Sequence, residues 1–189
     1  QTLRRALDEN DGDVLMFLPG AGEIRRAQQS LADNPPPHTR VLPLYGDLSA
    51  EDQDRVFDES AHRERRIVLA TNIAETSVTI PGITVVGDTG LARRSLFDPG
   101  SGMSRLELLR ISRSSAAQRA GRAGRTAPGR CVRLYAAGEF AARPAFDEPE
   151  IRRIDLAEVL LEQLAWGARD PLTFPWLDSP EPSAVRRAL

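Results

Sequence analysis

Lysine is absent from this chain. All 25 basic side chains are arginine, and that omission excludes a large class of sites. A loop of the form Gly-x-x-x-x-Gly-Lys-Ser/Thr grips nucleotide phosphates partly through its lysine, so no such loop exists here. An Asp-Glu-x-His box is missing as well. Any nucleotide chemistry the chain joins must find its phosphate loop elsewhere. Cysteine is nearly absent: Cys131 stands alone, which rules out an internal disulfide and fits a cytoplasmic setting. No apolar run approaches the ~18 residues of a membrane-spanning helix, and no secretory leader opens the sequence, so no membrane partner is expected. The two histidines, His38 and His62, sit in polar stretches without Cys or carboxylates at ligand spacing, and no metal site is expected. Neither a Ser-His-Asp arrangement nor a paired-carboxylate motif stands out.

What is present reads as an ordinary globular composition, 41% hydrophobic and 28% charged over 189 residues, enough for one domain or one domain plus a fragment. The chain begins at Gln1 and stops at Leu189 inside a helical pattern, as a piece of a longer polypeptide would. A net charge of -2 argues against a general nucleic-acid binder, but the distribution is uneven. Ten arginines lie between Leu91 and Arg133 against only Asp98 and Glu107, a local balance of +8. A general Arg and Ala bias accounts for the missing lysine; it does not account for the clustering, which reads as an anion-facing surface.

Along the chain, apolar runs alternate with amphipathic stretches. Thr2 to Asn10 has helical spacing. Asp13 to Leu18 is a continuous apolar run, read as a buried strand, and Gly22 to Ala32 is an amphipathic helix. Strands follow at Arg40 to Tyr45, Arg66 to Ala70 and Ile83 to Gly87. A short helix opens at Ser49, with Glu51 and Asp52 suiting its positive end. Ala92 to Phe97 and Leu106 to Ser112 flank the turn signal Asp98-Pro99-Gly100-Ser101-Gly102 as hairpin arms. Arg130 to Tyr135 is a last strand, and Glu150 to Trp166 a strong helix with Leu156, Leu160 and Leu164 at four-residue steps. Strands alternating with helices imply parallel β-α-β units and a sheet covered on both faces.

The stretch that organises these elements is Ser114 to Gly129. Ser114 or Ser115 can cap a helix start. At ~3.6 residues per turn, Gln118, Arg122 and Arg125 share one face, and Ala120, Gly121, Ala123 and Gly124 fall largely opposite. Two glycines cost a helix roughly 1 kcal/mol each relative to Ala, a cost that suggests close approach to another layer. The guanidinium fork matches phosphate oxygens. The stretch reads as a phosphate-sensing helix.

Gln118-Arg119-Ala120-Gly121-Arg122-Ala123-Gly124-Arg125 resembles motif VI of the superfamily 2 helicases in their DEAH/RHA form. Leu69-Ala70-Thr71-Asn72-Ile73-Ala74-Glu75-Thr76-Ser77 resembles motif V of that family, and Val14 to Gly20 with Glu23-Ile24 resembles motif IV. Leu44-Tyr45-Gly46-Asp47-Leu48, with Arg55-Val56-Phe57, resembles the segment that follows motif IV. Phe17 to Ile24 and Leu91-Ala92-Arg93 are most similar to the bacterial HrpB-type members. The resemblance covers nearly the whole chain. It implies an α/β fold: a second RecA-like three-layer domain over residues 1–146, with a mostly parallel sheet and a β-hairpin inserted at 91–113. A short helical fragment, the truncated start of a winged-helix domain, follows over 147–189.

The same resemblance implies the roles of individual residues. Arg122 and Arg125 would be arginine fingers for the γ-phosphate of ATP, and Gln118 would position the attacking water or contact that phosphate. Arg119 points about a quarter turn away and is not expected to touch phosphate. Phe57 matches an aromatic that stacks on adenine; it also reads as the apolar end of an amphipathic helix. Thr79 matches a residue near the ribose. Two positions later, where the family usually has an acidic residue, stands Pro81, which implies a weaker ribose grip. Thr71, Asn72 and Ser77 match residues that contact the nucleic-acid backbone, contacts that position a strand without reading sequence. Gly20 would let backbone approach a phosphate closely, though turn geometry explains it nearly as well. The hairpin resembles one that guides or separates strands; a plain surface hairpin is the rival.

The expected activity is that of the C-terminal RecA-like half of an ATP-dependent RNA helicase. Its expected partners are single-stranded nucleic acid, RNA before DNA, and the first RecA-like domain of the same polypeptide, which would hold ATP with Mg2+. The alternatives are a non-catalytic nucleic-acid or protein binding module, and a DNA-directed helicase.

Overall fold

The structure, a computed structural model, describes residues 5, 9–58, 64–76, 79–125 and 128–189. The helix expected over Thr2 to Asn10 lies largely outside these residues. Five strands, β1 (Asp13–Phe17), β2 (Thr39–Leu44), β3 (Arg65–Ala70), β4 (Ile83–Asp88) and β7 (Arg130–Arg133), form one sheet in the order β2-β3-β1-β4-β7. Every neighbouring pair is parallel. β5 (Leu91–Asp98) and β6 (Met103–Arg110) form a separate two-stranded hairpin. The α/β, RecA-like parallel sheet with an inserted hairpin read from the sequence is the fold observed.

Alternation along the central strands explains why both sheet faces are covered. Leu15 and Phe17 of β1, with Val68 and Ala70 of β3, pack in one cluster with Val56 of α2 (Ala50–Phe57). Val14 of β1, with Ile67 and Leu69 of β3, packs in the other with Ile24 and Leu31 of α1 (Ala21–Ala32). A strand buried on both faces has no polar positions to spare, so these segments read as unbroken apolar runs. The helix start at Ser49 is confirmed, since its side chain accepts from the Asp52 N–H at 3.2 Å.

A buried ion pair closes the amino-terminal edge of the sheet. Arg66, 4% exposed, meets Asp13 at 2.6 Å and donates to the carbonyls of Val56 and Pro81. Pro81, which departs from the family pattern, therefore serves here as a backbone acceptor for Arg66.

The chain divides into two compact units, Gln1–Arg93 with Leu108–Asp147 and Arg94–Glu107 with Glu148–Leu189. The outer part of the hairpin thus groups with the C-terminal residues. Within that second unit the Phe97 N–H donates to the Arg153 carbonyl at 2.7 Å, and the Arg153 guanidinium donates to the Ser95 carbonyl at 2.9 Å. Its core gathers Leu156, Leu160 and Val185. The long helix expected over Glu150 to Trp166 is broken: a 3₁₀ turn at Glu150–Arg152 precedes α4 (Ala157–Ala165), and α5 (Pro182–Ala188) follows.

Candidate functional site

The carboxyl ends of β1 and β3 lie side by side, because the register pairs Phe17 with Ala70. Gly20 and the Thr71–Asn72 pair therefore leave neighbouring strand ends, the place where open α/β sheets bind ligands. The Leu18 N–H donates to the Ala70 carbonyl at 2.8 Å, and the Thr71 N–H to the Leu44 carbonyl at 3.1 Å, which fixes both exits. Asn72 is exposed and opens the 3₁₀ turn Asn72–Ala74. Ser77, grouped with them by sequence, lies outside the described residues.

Gly20 precedes α1 with an ordinary extended backbone, φ -168°. A Cβ there would come within 2.9 Å of the Arg93 side chain and 3.2 Å of the Glu23 carboxylate, so those two flexible side chains would have to shift to admit one. Arg93 and Glu23 pair at 3.2 Å. Burial works against ionisation of Glu23, yet the hydrogen bond and charge of Arg93 hold its carboxyl below the usual range.

The helix expected from Ser114 onward is shorter and starts earlier. α3 spans Arg113–Ala120, and its cap is Ser112, whose Oγ accepts from the Ser115 N–H at 3.1 Å. Ser112 is fully buried, and its own N–H donates to Asp147 at 3.0 Å. Ser112→Ala is expected to lower stability by about 1–2 kcal/mol, read as a shift in the urea unfolding midpoint.

Past Ala120 the chain tightens. The Arg122 and Ala123 N–H groups donate to the carbonyls three residues back, of Arg119 and Ala120, at 3.1 and 3.2 Å. Arg122 and Arg125 thus sit on a tightened turn beyond the helix, not on the face of one long helix. The glycines behave differently from expectation too. A Cβ at Gly124 would meet nothing within 4 Å, and one at Gly121 only neighbouring backbone at 3.4 Å or more. The close approach falls on Gly129, where a Cβ would collide with the Ala123 carbonyl, and the buried small residues are Ala116 and Ala123.

The three arginines have separate environments. Arg119 is fully buried; it pairs with Asp88 at 2.8 Å and Glu75 at 3.0 Å, donates to the Leu91 carbonyl, and lies 4.8 Å over the Phe17 ring. It has no route to a phosphate from there. Arg122, 9% exposed, donates to the Glu75 carbonyl. Burial lowers the pKa of its guanidinium, and the charge of Arg125 lowers it further, against the pull of Glu75. Arg125 is exposed, donates to the Thr79 hydroxyl at 2.7 Å, and has no carboxylate partner among the described residues. Two neighbouring guanidiniums, one desolvated and one without a counter-ion, form a site that gains from an anion.

Gln118 is exposed on the last turn of α3. Phe57, the last residue of α2, is half-buried against the cluster that contains Ile80 and Ala123, the neighbours of Thr79 and Arg122. The structure thus joins Thr79 directly to Arg125 and places Phe57 on their supporting core. Gly20, Thr71 and Asn72 gather at the strand ends.

Sequence reasoning passed over Glu75 and Asp88. Asp88 is fully buried; besides Arg119 it accepts from the Gly90 N–H and the Tyr135 hydroxyl, both at 2.9 Å. Burial, then the charge of Asp88 and this hydrogen bond, push the Tyr135 phenol far above its usual range. The signal was available: a carboxylate that follows the apolar Val85-Val86-Gly87 at the end of a strand must find a partner. Among the described residues no group of three or more His, Cys, Asp or Glu could hold a metal ion, and no helix is long and apolar enough to cross a membrane.

The chain resembles known helicases in sequence and in fold. A family model described as the helicase conserved C-terminal domain matches residues 1–127. The ATP-dependent RNA helicase HrpB of Escherichia coli (strain K12) is 45% identical over 174 residues, 92% of this chain and 22% of that protein. HrpA of the same organism is 46% identical over 173 residues, 92% of this chain and 13% of that one. The Arabidopsis thaliana ATP-dependent RNA helicase DEAH12, chloroplastic, is 45% identical over 181 residues, 96% of this chain and 10% of its own length. A crystal structure of the Escherichia coli DEAH/RHA helicase HrpB superposes with a TM-score of 0.91 at 43% identity, over 99% of this chain and 24% of that one. The chain thus spans a quarter or less of the length of these relatives. Matched by the family model over two thirds of its length, and similar in sequence and fold to DEAH/RHA helicases, the chain belongs to the helicase conserved C-terminal domain family.

Proposed function

We propose that this chain is the C-terminal RecA-like half of an ATP-dependent RNA helicase of the DEAH/RHA class, working in the cytoplasm. Residues 1–146 would be the second RecA-like domain, and 147–189 the start of a winged-helix domain. The observation that carries the reading is the pair Arg122 and Arg125: two guanidiniums near enough for the charge of one to lower the pKa of the other, with Arg125 held, among the described residues, by the Thr79 hydroxyl and by no carboxylate. In phosphoryl transfer the protein mainly positions groups and neutralises charge. The first RecA-like domain of the same polypeptide holds ATP with Mg2+, and the cleft closes on it. Arg125 leaves Thr79 for the γ-phosphate, Arg122 follows, and Gln118 orients the attacking water. Thr79, once free of Arg125, faces the ribose, and Phe57 stacks on the adenine. Gly20, Thr71, Asn72 and Ser77 hold the backbone of a single strand, so closure and reopening ratchet it along.

The full-length protein is expected to hydrolyse ATP with stimulation by single-stranded RNA, while the isolated 189-residue chain, lacking any lysine for a phosphate loop, hydrolyses none. Robust hydrolysis by the pure chain overturns the domain placement. A full-length protein without ATPase activity favours the binding module, and stimulation by DNA alone favours the DNA-directed helicase.

A further inference from the structure

Glu75 is held twice. Its carboxylate accepts from the Arg119 Nε at 3.0 Å, and its backbone carbonyl accepts from Arg122. The two tethers differ in kind. Arg119 is a fixed anchor, fully buried and locked by Asp88 at 2.8 Å and by the Leu91 carbonyl at 3.2 Å. Arg122 is one of the two groups that face an incoming phosphate. On its other side, Glu75 closes the turn that starts at Thr71. The Ala74 N–H donates to the Thr71 carbonyl at 3.3 Å, and the Glu75 N–H to the Asn72 carbonyl at 2.9 Å. Thr71 to Glu75 is therefore one hydrogen-bonded unit, seated in the core by Ala74. One end of it presents Thr71 and Asn72 at the strand ends; the other is tied to both arginines.

We propose that Glu75 is a positioning residue that couples nucleotide state to the strand-facing turn Thr71–Asn72. The inference rests on the helicase reading above. When Arg122 turns toward a phosphate it gives up the Glu75 carbonyl, while Arg119 keeps the carboxylate. The turn then pivots between Arg119 at one end and the Thr71 N–H bond to the Leu44 carbonyl at the other instead of coming loose, and the exposed Asn72 and the Thr71 side chain shift with it. Coupling of this kind needs two arrangements of one element, each favoured by a different ligand.

The reach of the side chain sets the test. Aspartate is one methylene shorter and cannot span to Arg119 from the same backbone position. Glutamine keeps the length and an acceptor for the Arg119 Nε, and Asp88 still balances the Arg119 charge. ATP hydrolysis by the full-length protein is measured with and without oligouridine RNA, and the ratio is read, so that a uniform loss of active protein cancels. Glu75→Asp and Glu75→Ala are expected to lower the stimulation ratio about tenfold, and Glu75→Gln to stay within about threefold of wild type. A Glu75→Asp ratio equal to wild type overturns the proposal, as does a Gln variant that falls as far as Asp. Wild-type protein and Arg125→Ala are run alongside. A wild type that hydrolyses ATP and an Arg125→Ala protein that does not leave the helicase reading standing whatever the Glu75 series gives; a wild type without hydrolysis fails that reading itself.

Discussion

Arg125→Ala in the full-length protein is expected to lower kcat for ATP hydrolysis by about 10³-fold or more, with a much smaller change in ATP binding. The argument begins with what Arg125 does not do. It is exposed, it donates to the Thr79 hydroxyl at 2.7 Å, and among the described residues no carboxylate neutralises it. Removing an exposed side chain of this kind changes stability by only about 0.5 kcal/mol, so a lost rate cannot be blamed on a lost fold. Its charge is nonetheless felt, since it depresses the Arg122 pKa along with burial. Two like charges that feel each other raise the energy of the site, and charge that develops on a phosphate in the transition state relieves it. The loss should therefore appear in kcat rather than in KM. Arg125→Lys keeps the charge but not the planar fork, and is expected to recover only a small part of the rate. Turnover near the wild-type value in Arg125→Ala would sink the finger assignment.

The parts legible in the sequence are those that depend on near neighbours. β3 showed itself because Ile67 through Ala70 are all fully buried, and a strand buried on both faces has no polar alternation to hide it. The hairpin turn showed itself through Asp98, whose carboxylate accepts the Gly100 N–H at 3.0 Å and the Ser101 hydroxyl at 2.9 Å, a local bond that Asp forms readily. The helix boundaries were less legible. Around Glu150 to Trp166 the leucine spacing suggested one helix, but Asp155 accepts the Ala157 N–H at 3.2 Å and competes with helix continuation. Leu156 and Leu160 are buried as that spacing required, whereas Leu164 is 40% exposed. Past Gly121, whose N–H still reaches the Ala117 carbonyl at 2.9 Å, the same fourfold bookkeeping failed, since Arg122 and Ala123 bond to the third residue back. What the sequence could not display is Arg119. Its burial depends on Glu75 and Asp88, which lie 44 and 31 positions away and arrive on different elements.

That buried arginine carries the largest expected effect on stability. Arg119→Met is expected to destabilise the 189-residue chain by about 3–5 kcal/mol in urea unfolding. Methionine replaces the volume and keeps contact with the Phe17 ring, so the loss is electrostatic rather than a cavity. Asp88 is fully buried and would keep only the Gly90 N–H and the Tyr135 hydroxyl, two neutral donors, in place of a cation at 2.8 Å. A buried carboxylate without its counter-ion is what makes breaking such a pair costly, more than the lost attraction itself. The double variant separates these terms. Asp88→Asn removes the charge while its amide oxygen still accepts from Tyr135 or Gly90. Arg119→Met with Asp88→Asn is therefore expected to be more stable than Arg119→Met alone, with a coupling of about 1–3 kcal/mol between the two sites. Glu75 limits the rescue little, because its side chain is 13% exposed and reaches water when Arg119 is gone. Strictly additive losses would show that Asp88 and Arg119 do not depend on each other.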